Sequence, residues 1–107
     1  MSCEQLMSNM KFILSGDDLK RVTVREIENG LAYIDVDLHG LTRRQAEKLV
    51  RNIININRGE FILNVIHGFN HGTVLKEMIM ETKWSSRVVE RSCPAWNPGQ
   101  TFMTIAA

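Results

Sequence analysis

The clearest signal in the chain is a change of hydrophobic period. Over residues 31–38, Ala32, Ile34, Val36 and Leu38 alternate with Leu31, Tyr33, Asp35 and Asp37. A period of two with acids on one side predicts a strand with one buried and one solvated face. From Ala46 the period lengthens, and Ala46, Leu49, Val50, Ile53 and Ile56 or Asn57 form a stripe at helical spacing. Thr42 precedes that stripe with Gln45 three residues on, the pattern of a capping box. Arg58-Gly59 ends it, glycine being suited to the left-handed conformation after a last helical turn. Residues 61–67 are a short apolar run rich in β-formers and predict a buried strand. Residues 68–72 read as a loop. A second helix is predicted over about 73–84, with Val74 or Leu75, Met78, Ile79 and Thr82 on one face. Residues 87–91 and 100–105 predict two more strands, separated by a turn that Pro94, Asn97, Pro98 and Gly99 impose. Upstream, Leu6, Met10 and Ile13 lie at helical spacing before a break at Gly16-Asp17-Asp18. Residues 22–27 predict a strand that turns at Asn29-Gly30, a pair favoured in tight hairpins.

The order is therefore strand, helix, strand, helix, strand, strand, with room for one extra N-terminal strand or helix. Consecutive β-α units imply parallel strands with right-handed crossovers. The expected fold is α/β: a two-layer sandwich in which a mixed four-stranded sheet carries both helices on one face and leaves the other to solvent. Residues 1–30 read as an N-terminal extension and 31–107 as the domain proper.

Composition narrows the possibilities. The chain has 107 residues, one domain's worth, with 44% hydrophobic and 23% charged residues, ordinary for a globular domain. Lys and Arg number 13 and Asp and Glu 12, so the net charge of +1 excludes a polybasic protein that binds nucleic acid by bulk charge. The charges are uneven, however. Residues 43–58 hold five bases (Arg43, Arg44, Lys48, Arg51, Arg58) against Glu47, which gives one basic helix. Cys3 and Cys93 form no CxxC pair and are too few for a disulfide framework, which points to a reducing, cytoplasmic home. No leader and no apolar stretch of membrane-spanning length is visible, so no membrane partner is expected.

In a β-α sheet the working end lies at the carboxyl ends of the parallel strands. All three histidines fall at two such ends, in Asp37-Leu38-His39-Gly40 and in His67-Gly68-Phe69-Asn70-His71-Gly72. A glycine loop opening into a helix presents free N–H groups and a positive dipole end to an anion. Lys76, Arg43 and Arg44 fall in first helical turns, where the dipole opposes a cation by roughly 0.3–1 kcal/mol. Cations placed there point to an anion near both helix starts. An imidazole titrates near neutrality, so His39 or His67 suits proton transfer. Asp37 suits orienting a histidine, activating water or holding a metal. Asp35, Asp37 and His39 share one side of a regular strand, which makes a divalent metal, Mg or Mn, conceivable, with no cofactor otherwise implied. Zinc is disfavoured by the ligand spacing. Structural alternatives stand beside these roles: His39 as a turn cap, His67 as a satisfied core histidine, His71 as an exposed loop residue, Phe69 as packing rather than a base stacker, Trp84 and Trp96 as core or edge cover.

Asp37-Leu38-His39-Gly40-Leu41, a helix, an apolar strand, His67-Gly68, a glycine-containing loop and Leu75-Lys76 together resemble the small MutS-related (Smr) domain, over about residues 33–105. The resemblance implies a fold like the C-terminal domain of translation initiation factor 3, and binding of DNA or RNA in structured, branched or nicked form. In several members it implies nicking endonuclease or ribonuclease activity. Carried over residue by residue, Asp37 and His39 belong to the catalytic segment and His67, Gly68 and Gly72 to the glycine loop. Gly40, Arg43, Arg44, Phe69, Asn70, His71 and Lys76 are the further nucleic-acid contacts expected around them. Two departures stand out: Asn70 replaces the loop's middle glycine, and Lys76 replaces an arginine and its bidentate fork. The domain plus about 30 residues, with no ATPase or mismatch-recognition region, reads as a short stand-alone member. Three functions are expected in order: a nicking endonuclease, a non-catalytic nucleic-acid-binding module, and an adaptor whose Leu6, Met10 and Ile13 seek a groove on a protein partner.

Overall fold

A computed structural model describes residues 3–26, 30–68 and 73–107. The elements are α1 (Cys3–Ile13), α2 (Gly16–Leu19), β1 (Val22–Glu26), β2 (Ala32–Asp37), α3 (Arg43–Ile56), β3 (Phe61–Ile66), α4 (Thr73–Glu81), β4 (Val88–Ser92) and β5 (Gln100–Ile105). Among the described residues the sheet has five strands in the order β1-β2-β3-β5-β4, the expected four with the extra N-terminal strand. The added strand is β1, paired antiparallel to β2 from Val22 opposite Val36 to Glu26 opposite Ala32. Gly30 has the positive φ of 79° that the expected turn places there, while residues 27–29 lie outside the described residues. β2 and β3 pair in parallel. β5 inserts antiparallel between β3 and β4, so β4 runs in the direction of β3 without pairing with it.

Strand alternation decides the two faces. Ala32, Ile34 and Val36 of β2, Phe61, Leu63 and Val65 of β3, and Thr101, Met103 and Ile105 of β5 are all buried. They pack with Ala46, Leu49, Val50, Ile53 and Ile54 of α3, Leu75, Met78 and Ile79 of α4, and Leu6 and Met10 of α1. Each Val, Leu, Ile, Phe or Met side chain among them contributes about 1.5–3 kcal/mol on burial. Leu6 and Met10 thus serve this chain's own core and are not free for a partner's groove, whereas Ile13 is exposed. Leu75, not Val74, faces inward on α4.

The opposite face carries the acids, as the alternation predicts. Asp35 accepts two bonds from Arg25, at 2.7 and 3.2 Å, and one from Asn64 Nδ2 at 2.9 Å. The Arg25 guanidinium also lies over the Tyr33 ring, and Tyr33 meets Phe102 edge-on.

The end of α3 departs from expectation. Gly59 is not left-handed, and Asn57 closes the helix in extended backbone with its side chain on Ile53 O at 2.9 Å. The reason is Arg87, whose guanidinium donates to Ile54 O, Asn57 O, Gly59 O and Ala106 O at 2.7–2.8 Å. A charged side chain from the other edge of the sheet takes the carbonyls that a glycine turn would otherwise satisfy. α4 likewise stops at Glu81, three residues early. The Trp84 indole N–H bonds Ile79 O at 3.0 Å, and Arg91 Nη1 bonds Met80 O at 2.6 Å.

Candidate functional site

The parallel register sets Asp37 opposite Ile66, and Leu38 N–H donates to Ile66 O at 2.9 Å. The segments 37–40 and 67–68 therefore leave the sheet from neighbouring strand ends. Leu38 is fully buried and pins the first segment, while Asp37, His39 and Gly40 on either side are exposed. The Asp37 carboxylate folds the turn by accepting His39 N–H at 2.9 Å. Gly40 and Gly68 have φ of 81° and 75° with open space around both, so glycine is needed there for conformation and not for room. The chain then enters α3 through the complete capping box: Gln45 N–H on Thr42 Oγ1 at 3.2 Å, Thr42 N–H on Gln45 Oε1 at 3.0 Å. Arg43 and Arg44 are exposed in a first turn that holds no acid, and neither forms an ion pair among the described residues.

Sequence reasoning missed Arg21. Its Nη1 donates to Asp37 O at 3.0 Å and to His39 O at 2.7 Å, and its own carbonyl accepts Asp37 N–H at 2.9 Å. One cation thus holds both sides of the Asp37–His39 turn. The signal was present in the hairpin: the register that puts Val22 opposite Val36, continued by one residue, puts Arg21 opposite Asp37.

His67 lies in a different environment from its neighbours. It is 3% exposed and continues the alternation of Phe61, Leu63 and Val65, so its ring enters the helix side of the sheet. Nδ1 is 2.8 Å from Gly68 O and Nε2 is 2.9 Å from Thr101 Oγ1. A carbonyl only accepts, so the hydrogen sits on Nδ1, and the Thr101 hydroxyl donates to Nε2. Burial pushes the imidazole below its usual 6.5 and the charge of Lys76 adds to that, against the opposing effect of the Gly68 carbonyl. His67 is therefore a neutral, fully bonded ring at pH 7, with Lys76 near enough for its charge to be felt. Thr101, fully buried on β5, is the second partner that sequence reasoning missed.

Asp37, His39, Gly40, His67 and Gly68 are thus brought to one end of the sheet, with Arg43, Arg44 and Lys76 beside them. Phe69, Asn70, His71 and Gly72 lie outside the described residues. The in-line trio Asp35, Asp37 and His39 does not form. β2 ends at Asp37, His39 sits in the turn, and Asp35 is occupied by Arg25 and Asn64. Among the described residues no three His, Cys, Asp or Glu side chains group as metal ligands.

An open mixed sheet with helices on one face, and with an acid–imidazole turn beside a basic helix start at its strand ends, defines a mixed α/β domain organised around that edge. Residues 36–101, from within β2 to the start of β5, match the family model of the Smr domain, and the chain belongs to that family. No curated protein and no solved structure matches closely enough to name a relative. No described helix is long and apolar enough to cross a membrane.

Proposed function

We propose that this Smr domain binds nucleic acid where β2 and β3 end and hydrolyses a phosphodiester there. The observation that carries the reading is the parallel register, which sets the Asp37–Gly40 turn beside His67-Gly68, with Arg43 and Arg44 exposed at the start of α3 and in no ion pair among the described residues. Arg43, Arg44 and Lys76 neutralise phosphate oxygens, and the N-terminus of α3 adds its dipole. Asp37 takes a proton from the attacking water as the new P–O bond forms. His39 donates a proton to the leaving oxygen as the old P–O bond breaks. His67, with both nitrogens engaged, is a positioning residue that fixes the second segment.

A second reading, binding without cleavage, is favoured by the same sealing of His67, since it removes one imidazole from proton transfer. The test is incubation of labelled supercoiled DNA and structured RNA with the parent chain and with Asp37→Asn, in Mg²⁺, in Mn²⁺ and in chelator. Parent nicking that Asp37→Asn abolishes while still binding supports hydrolysis, because an asparagine oxygen still accepts His39 N–H. Salt-dependent binding with no nicking by either leaves the second reading. Equal nicking by both removes Asp37 from the mechanism, and no binding at low salt removes both readings.

A further inference from the structure

The loop joining β4 to β5 is fastened to the candidate site. Gly99 O accepts the N–H groups of both His67 and Gly68, each at 3.0 Å. Within the loop, Asn97 N–H on Pro94 O at 3.1 Å closes a turn with Ala95 and Trp96 at its tip. Asn97 Oδ1 accepts Gly99 N–H at 3.1 Å, and Pro94 and Pro98 fix φ on either side. This loop is stiff without help from its aromatic residue. Yet Trp96 is 77% exposed, in contrast to Trp84, which is 9% exposed with its N–H bonded. The expectation that Trp96 covers the core or an edge is therefore not met.

An indole held in water by a rigid turn contributes little to the fold. Trp96 lies three residues from Gly99, so its backbone is at most about 10 Å from the residue bonded to His67 and Gly68, within the span of a nucleotide or two. Its neighbours Ala95 and Pro98 are small or turn-forming, and Ser92 is polar. Among the described residues Trp96 is the one large hydrophobic residue of this loop that is exposed, whereas a protein partner requires a contiguous apolar patch. A single flat, exposed ring on a loop bonded to that edge suits a base with a free face.

We propose that Trp96 stacks on an unpaired nucleobase of the strand whose phosphate is held at the Asp37–His67 edge. The inference rests on the nucleic-acid reading above and narrows its substrate to single-stranded or locally unpaired nucleic acid, since paired bases offer no free face. The test titrates a labelled single-stranded oligonucleotide, and its fully paired duplex, with the parent chain, Trp96→Ala and Trp96→Phe. Trp96→Ala is expected to weaken single-strand binding by roughly 5- to 150-fold, with Trp96→Phe restoring most of it. The duplex affinity and the salt slope stay unchanged, because every cation that meets a phosphate is retained. Oligonucleotide quenching of the exposed tryptophan emission disappears in Trp96→Phe. Single-strand binding by Trp96→Ala equal to the parent's overturns the stacking role and leaves the nucleic-acid reading intact. Absence of any salt-dependent binding by the parent overturns both.

Discussion

His67 and Thr101 are joined across β3 and β5 by a 2.9 Å bond from the threonine hydroxyl to Nε2, beneath the helix layer. Thr101→Val keeps the shape but strands a buried acceptor, at a cost of about 1–3 kcal/mol. Urea unfolding is expected to show that loss, and Thr101→Ser to recover most of it. The pair also sets a pH dependence. The folded-state pKa of His67 lies below 6.5, so the unfolded chain takes up the proton first. Stability is full above 6.5 and falls as pH drops from there toward the lowered folded value. Unfolding midpoints at pH 5.5 and 7.5 should differ in the parent, and His67→Gln should narrow the difference. An equal difference in both chains would assign the effect to other groups. His67→Ala is a poor probe of catalysis, because it empties a buried site as well as removing the ring.

Arg87 replaces the glycine cap expected at the end of α3, and its four carbonyl partners come from α3, the loop after it and the C-terminal segment. Bonds to a charged donor are worth about 1.5–3 kcal/mol each and are not additive. Arg87→Met is expected to lower stability by about 3 kcal/mol in urea unfolding, with the site chemistry untouched. A change under about 0.5 kcal/mol would show that water replaces the guanidinium at those carbonyls.

Much of this molecule was legible from local pattern. The alternation of Ala32, Ile34 and Val36 gave the buried face of β2, Thr42 and Gln45 gave the capping box, and the hydrophobic run from Phe61 gave β3. Each of these depends on neighbours within a few residues. The arrangement that decides the site does not. Arg21 reaches the Asp37–His39 turn through a hairpin register, and Thr101 reaches His67 through a strand that inserts after the chain has passed through α4 and β4. The two histidine-glycine steps look alike in sequence, yet they differ in exposure. His67 keeps the inward phase of Phe61, Leu63 and Val65, whereas His39 is out of phase with the buried Ile34, Val36 and Leu38 and faces solvent.

Arg21 shapes the candidate site through the main-chain carbonyls of Asp37 and His39. Arg21→Met removes the donor to both Asp37 O and His39 O, one half-buried cation's worth of bonding, about 1.5 kcal/mol. The turn should loosen while the sheet holds. Amide exchange reads this directly: His39 N–H, bonded to the Asp37 carboxylate, should exchange faster, while Leu38 N–H, bonded to Ile66 O, should keep its protection. Unchanged His39 exchange would show that the carboxylate alone shapes the turn.

Arg43 and Arg44 separate stability from binding because the two effects have opposite signs. Both cations sit in the first turn of α3, where the helix dipole disfavours them, and no acid there offsets it. Replacing both with alanine should raise stability by about 0.3–1 kcal/mol per site, helped by alanine's helix propensity. The same change should weaken oligonucleotide binding and lower the slope of log K against log salt by about 0.9 for each duplex phosphate that is no longer neutralised. A variant that is more stable and binds less well identifies cations retained for an anion. A variant that is more stable with an unchanged salt slope shows that the two arginines are solvated surface, and moves the phosphate-binding role to Lys76 on the other segment.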